Sequence, residues 1–383
     1  MVSRKRLNRN LKIVFLVDSI RIGGVERLCF DECYELMDQK IEHEILCLTD
    51  NIIPEESVLK IDQNYSKLKD IKLTFIGKNR FQQILNMKKL LNRDKDYLIK
   101  IISHSTRGAF VARISAILNF RKLHITLFIH QLMNLSDFRQ KIKRIFHSLF
   151  ANEITSSSIQ FKFAWEEFVE SNIFLKIFYR KKVDFNRMGV HLPRLKNSSK
   201  NQVFACSQKT LHLLFMSRIT AWKGYPIYIN VCNLMEPIGT HSIVISNENT
   251  RKNIFDKSQY ESIKNHYLPN TGIANLKFEF EIIHLYPTNY GPGIQHPQSI
   301  GMNVIECLGL GIPSIISHDD YETWPEFKKS PLVRIVNWQN EKETLEILQE
   351  LVALPGEIKK EHTILLEEVI SIKNHVNQIL RSC

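Results

Sequence analysis

A short apolar run, Leu11 to Val17, leads into a glycine pair and then into an amphipathic stretch. The run is too short for a buried helix and suits a strand covered on both faces. Gly23 and Gly24 make the turn, and a helix follows over about Val25 to Gln39, with Leu28, Cys29, Cys33 and Leu36 on one stripe. Glu44 to Thr49 is the next strand. Such a βαβ unit has its turn at the carboxyl end of the first strand, where open α/β sheets place ligands. The spacing is not the GxGxxG of a dinucleotide site. The same grammar returns as LHLLFMS, then RITAWKG, then a helix from about Tyr225 and the strand HSIVIS. Arg218 and Lys223 flank this second turn, and two cations there would neutralise a diphosphate.

A chain of 383 residues, 44% hydrophobic, has room for two such domains. No apolar run approaches the ~20 residues of a membrane span. The amino terminus is basic and then apolar, but Asp18 closes the apolar run and no small-residue cleavage site follows, so a strand behind a basic leader in a cytoplasmic protein is expected. The seven cysteines are scattered without metal-ligand spacing and read as buried free thiols. The net charge is +12, with basic clusters at Arg4 to Arg9, Arg139 to Arg144 and Arg180 to Lys182. This balance favours phosphate-bearing ligands or anionic lipid headgroups. No zinc-finger or RNA-recognition signature supports nucleic acid as a partner.

Strand-like runs at Leu98 to Ser103 and Ile125 to Ile129 end in His104 and His130. Two imidazoles at equivalent strand ends point to one crevice and can hydrogen-bond a sugar hydroxyl or a phosphate. A further run, Leu73 to Ile76, precedes them. Asn134 to Asn152 reads as a basic amphipathic helix suited to the core or to an anionic membrane surface. Asp94-Lys95-Asp96 is a D-x-D, but Asn92-Arg93 precede it instead of an apolar strand, so it reads as a hydrated charge run. The polar stretch Arg194 to Ser207 marks a domain boundary. Tyr286 to Ser317 then combines a strand end, a glycine- and proline-rich loop, a helix and the strand SIIS. In QSIGMNVIE, Gly301 permits close backbone approach, and the start of the helix suits a phosphate. Glu306 can accept hydrogen bonds from sugar hydroxyls. Glu357 to Leu380 is a last helical pattern.

In this order the segments resemble the GT-B glycosyltransferases, specifically family 4, which are retaining enzymes of glycan and lipopolysaccharide assembly. DSIRIGGVER resembles that family's amino-terminal glycine loop. HSTRGAFVARISAILNFRKLHITLFIHQ resembles its paired histidine segments, and MGVHLPR, from Met188, the end of its NGVD hinge motif. FMSRITAWKG resembles the GRLxxxKG signature, and QSIGMNVIECLGLGIPSIIS the E-x7-E segment. The resemblance implies an α/β chain of the GT-B fold, two Rossmann-like domains facing each other across a cleft. It implies an amino-terminal acceptor domain over 1–193, a donor domain over 194–360, and a helix over 361–383 that returns to the first domain. By position, Gly23, Gly24, Arg218 and Lys223 would bind the donor diphosphate, and the Ile300, Gly301, Met302 and Asn303 backbone the donor sugar or phosphates. Glu306 would bind the ribose. His130 and Gln298 are the catalytic candidates, and His104 a secondary one. Gln298 stands where the family has its first Glu, so it can hydrogen-bond sugar hydroxyls but carries no charge. The implied partners are a UDP- or GDP-linked sugar and a glycan or lipid-linked acceptor, with no cofactor and no metal, and the basic helix and leader add an expected peripheral contact with the inner face of an anionic membrane. A catalytically weak or inactive subunit that only binds the nucleotide sugar is the alternative.

Overall fold

The computed structural model describes residues 10–20, 24–49, 70–130, 145–146, 148–171, 183–196, 202–204, 211–217, 223–235, 240–246, 265–269, 276–278, 281–288, 300–317 and 321–381, with residues 142, 176, 219 and 273 between them. The chain divides into two compact units. The first ends at Met188 and takes back the chain from Ile372 onwards, and the second holds Gly189 to Ser371.

The first unit runs β1 (Leu11–Val17), α1 (Gly24–Asp38), β2 (Glu42–Cys47), β3 (Lys72–Phe75), α2 (Arg80–Arg93), β4 (Leu98–Ser103), α3 (Thr106–Ile117), β5 (His124–Ile129), β6 (Glu153–Ser156), α4 (Ile159–Glu170) and β7 (Val183–Phe185). The strands form one sheet in the order β3-β2-β1-β4-β5-β6-β7, and every pairing is parallel. Helices start where short polar side chains cap them. Asn79 accepts from the Gln82 N–H, Ser105 from Gly108 and Ser158 from Gln160, before α2, α3 and α4. The β1 residues Ile13 to Val17 are all buried, as a central parallel strand requires.

One charged cluster lies inside this unit. Lys12 of β1 places Nζ 2.7 Å from Asp94 Oδ2 and 3.3 Å from Glu44 Oε1. Arg93 donates to both carboxylates. Asp94, the first residue of the D-x-D, is therefore no hydrated surface charge. It follows the last turn of α2 with its N–H on Leu90 O, and the turn aims its carboxylate at Lys12. Lys12→Ala would leave two buried carboxylates short of a cation and should destabilise the protein by about 3–5 kcal/mol. Urea unfolding monitored by circular dichroism reads this, and a midpoint like the wild type's would remove the pair from the account of stability.

The second unit runs α5 (Leu192–Lys196), β8 (Gln202–Phe204), β9 (His212–Met216), α6 (Tyr225–Met235), β10 (His241–Ser246), β11 (Asn265–Pro269), β12 (Leu276–Phe278), β13 (Ile282–Tyr286), α7 (Met302–Gly309), β14 (Ser314–Ile316), a 3-10 turn at Pro325–Lys329, β15 (Val333–Ile335), α8 (Glu341–Ala353) and α9 (Gly356–Ile370). Its main sheet has the order β11-β10-β9-β13-β14-β15, again parallel throughout, and β8 pairs separately with β12. Every residue of α7 is buried.

The last helical pattern is two helices, α9 and then α10 (Ile372–Arg381). Ser371 breaks it with ψ 128° and bridges to Val190, whose N–H donates to Ile370 O. That bridge and the Arg194 contacts below hold residues 189–193 and 361–371 with the second unit, and the two compact units divide at 188/189 and at 371/372. In the first unit α10 packs on α1 and is tied down by buried polar groups. Lys100 Nζ donates to Ile379 O at 2.8 Å, and Asn186 Nδ2 donates to His375 O at 3.1 Å. Of the amphipathic stretch 134–152, residues 134–141, 143, 144 and 147 lie outside the described residues. Ile145 and Ser148 face the core, while Ile142 and Phe146 are half exposed.

Candidate functional site

Both main sheets share one plan. A central strand, β1 or β9, is followed by strands to one side, and the chain then crosses to the other side at β4 or β13. Ligands of open α/β sheets bind beyond the carboxyl ends of the strands at that reversal. The candidate residues gather there in each unit.

In the first unit Asp18 follows β1, its carboxylate accepts from Ser105 Oγ at 2.8 Å, and α1 starts at Gly24. Gly23 lies outside the described residues. His104 follows β4 and His130 follows β5, and His104 Nδ1 and His130 Nε2 are 2.7 Å apart. The two imidazoles that the sequence sets at equivalent strand ends are thus directly bonded. Two residues that the sequence did not single out extend the chain of contacts. Glu32 of α1 accepts from His104 Nε2 at 3.1 Å and from His375 Nε2 of α10 at 2.7 Å. His375 Nδ1 donates to Arg187 O at 2.7 Å. Phe128 packs against all three imidazoles, and Phe15 against His104.

Charge explains how this cluster is tolerated inside the protein. Burial alone would raise the Glu32 carboxyl, but the His104 and His375 rings outweigh it and hold it at about 2. Burial alone would lower His104, yet the Glu32 carboxylate raises it to about 10. Burial, and then the charge on His104, push His130 well below its ordinary value. Among the described residues His130 Nδ1 has no hydrogen-bond partner although the atom is buried. Cys29, Glu32 and His104 bring donor atoms within 4.8 Å of one another. The His104 and His375 contacts on Glu32, 3.1 and 2.7 Å, are hydrogen-bond lengths. They are shorter than the ~3.3 Å edges of a tetrahedron with zinc bonds near 2.0 Å.

In the second unit Asn303, in the first turn of α7, donates from Nδ2 to Met216 O at the end of β9, at 2.6 Å. That bond fixes the start of α7 over the reversal point. Ile300, Met302 and Asn303 are buried as side chains, and no side chain caps the helix at Gly301. A β-carbon at Gly301 would lie 2.5 Å from Asn303 Oδ1 and 2.8 Å from the Tyr286 hydroxyl, so the close approach there includes these two groups. Tyr286 ends β13, and Lys223 Nζ sits 5.7 Å from the centre of its ring. Gly224 takes φ 75° against the backbone of Pro287, which places Lys223 beside Tyr286. Glu306 is fully buried on α7 and pairs with Arg194 Nη2 at 3.3 Å. Nothing in the sequence pattern marks Arg194 for this role, because α5 is only five residues long and Arg194 lies 112 positions from Glu306. Arg218 and Gln298 lie outside the described residues.

Lys223, Asn303 and the start of α7 therefore meet at one strand edge, and His104 and His130 meet at another, each within its own unit. Among the described residues no helix is long and apolar enough to cross a membrane. No protein-family model and no curated protein matches the sequence. The structure is similar to HepE from Anabaena, solved in complex with UDP and glucose, with a TM-score of 0.67 at 13% identity, covering 97% of this chain and 99% of that one. It is similar to a glycosyltransferase from Rickettsia africae ESF-5, with a TM-score of 0.68 at 16% identity and 98% coverage of both chains. It also resembles the apo form of the lipopolysaccharide outer core galactosyltransferase WaaB, with a TM-score of 0.58 at 13% identity, covering 97% and 99%. Two parallel α/β units of this strand order, matched over nearly the whole chain by such structures, give the protein the GT-B fold of glycosyltransferases.

Proposed function

We propose that the protein is a retaining, metal-independent glycosyltransferase that moves a sugar from a nucleotide diphosphate sugar to an acceptor hydroxyl. The observation that carries this reading is the start of α7, left uncapped by side chains and anchored by Asn303 at the reversal point, with the Lys223 cation nearby. Helix starts and cations of this kind stabilise a departing diphosphate. The likeness to HepE, solved with UDP and glucose, supports the same class of donor. In this reading Arg218 and Lys223 hold the diphosphate, with Gly23 and Gly24 approaching it. Glu306, oriented by Arg194, serves the ribose. His130 and Gln298 contact the donor sugar. The acceptor hydroxyl attacks from the leaving-group face and passes its proton to a phosphate oxygen, so no protein base is required. The acceptor is a glycan or lipid-linked oligosaccharide of surface polysaccharide, lipopolysaccharide or glycolipid synthesis, met at the inner face of an anionic membrane.

Thermal-shift measurements with UDP- and GDP-linked sugars test the donor. At about a hundredfold excess over Kd the expected stabilisation is roughly 2–3 kcal/mol. It should be lost in Arg218→Ala and reduced in Lys223→Ala. No shift with any nucleotide sugar would overturn the reading. A shift without transfer or hydrolysis, unrepaired by Gln298→Glu, would identify a binding subunit instead.

A further inference from the structure

The structure assigns Glu32 as a positioning residue that makes His104 the donor to His130 Nε2 and so fixes His130 as the Nδ1–H form, a hydrogen-bond donor to the ligand and not a base. His375 directs Nδ1 at the Arg187 carbonyl and Nε2 at Glu32, two oxygen acceptors, so it presents a hydrogen on each nitrogen. Glu32 then has one oxygen on His375 and the other on His104 Nε2. A carboxylate at Nε2 favours the doubly protonated His104, which leaves Nδ1–H to donate across the 2.7 Å contact to His130 Nε2. A ring that accepts at Nε2 must carry its hydrogen at Nδ1, the buried atom with no partner among the described residues. Among the described residues, the charged and titratable groups acting on the pair are Glu32 and Cys29 on α1, with Cys33 beside Cys29, and His375 on α10, while Phe15 and Phe128 supply apolar walls. Among the described residues Glu32 is the carboxylate that acts on His104, whose raised proton affinity and the lowered affinity of His130 agree with this assignment.

The oxygen served by His130 belongs to the donor sugar or its phosphate, and in this respect the inference rests on the transferase reading. The hydrogen positions can be tested without it. Ring 15N shifts of the full chain, labelled at histidine and recorded at pH 8, should show His130 neutral with hydrogen on Nδ1 and His104 protonated on both nitrogens. The His130 signals are assigned by their loss in His130→Gln. A wild-type His130 with hydrogen on Nε2, or a neutral His104, would overturn the assignment. In Glu32→Gln the anion is gone and burial dominates, so His104 should become neutral and His130 should switch to the Nε2–H form. An unchanged pattern in that variant would also overturn it. With a nucleotide sugar that shifts the wild-type melting, kcat of Glu32→Gln at pH 8 should fall about 10- to 100-fold with KM little changed. It should recover as pH falls and His104 regains its proton, a profile that loss of packing alone does not produce. Equal kcat in both proteins at pH 8 would count against Glu32, whereas absence of transfer by the wild type would remove the transferase reading and leave the 15N result standing.

Discussion

Ending the chain at Ser371 is expected to leave the first unit unfolded. The deletion removes α10, whose Ile372, Val376 and Ile379 are buried. Three such side chains contribute about 5–9 kcal/mol of burial. It also takes away the Ile379 carbonyl on which Lys100 is seated and the His375 contact on Glu32, leaving two buried charges with fewer partners. Breaking a single buried charged contact costs about 3–5 kcal/mol. Together these losses reach the whole stability of an ordinary domain, about 5–15 kcal/mol. The truncated protein should aggregate or give a broad melt with reduced helical signal, read by size-exclusion chromatography and circular dichroism. A monomer that melts cooperatively at the wild-type temperature would show that α10 is an appendage.

Gly224→Ala should be the most damaging small change in the second unit. The residue has φ 75°, and a β-carbon there would sit 1.8 Å from Pro287 O. Backbone strain of this kind costs about 1–3 kcal/mol, and the colliding partner is backbone, which cannot rotate away. The turn that carries Lys223 must then leave Tyr286, so the protein should melt earlier and lose its shift with nucleotide sugars. Gly356→Ala is the control, since nothing lies within 4 Å of a β-carbon there and it should melt like the wild type. Equal behaviour of the two variants would mean that the Gly224 turn does not set the Lys223 position.

Most of the sheet framework was legible because buried parallel strands are short apolar runs closed by turn signals. The runs at Leu11, Leu98 and Leu211 became β1, β4 and β9, with α1 starting at Gly24 after β1 and Gly224 in the turn before α6. The pairing of His104 with His130 was foreseeable for the same reason, since neighbouring parallel strands put successive end residues side by side. What remained hidden depends on contacts far apart in sequence. Glu32 and His375 are 343 positions apart, and nothing in the local pattern of either helix distinguishes them from surface polar residues. Asp94 was misread because its surroundings in sequence are charged, while the residue that buries it, Lys12, is 82 positions away. The break at Ser371 escaped because the helical periodicity runs across it, and only the bridge to Val190 imposes the extended backbone.

The placement of α10 in the first unit also has a consequence for synthesis. Residues 189–371 belong to the second unit, while the first combines residues before 189 with those from 372 onwards. Domains usually fold as they emerge from the ribosome, amino-terminal first. Here the order inverts: the first unit waits, with Glu32 and Lys100 each short of one partner, until residues 372–381 have been made, and the second unit can close before it. In that interval the first unit lacks the burial of Ile372, Val376 and Ile379 and is open to misassembly.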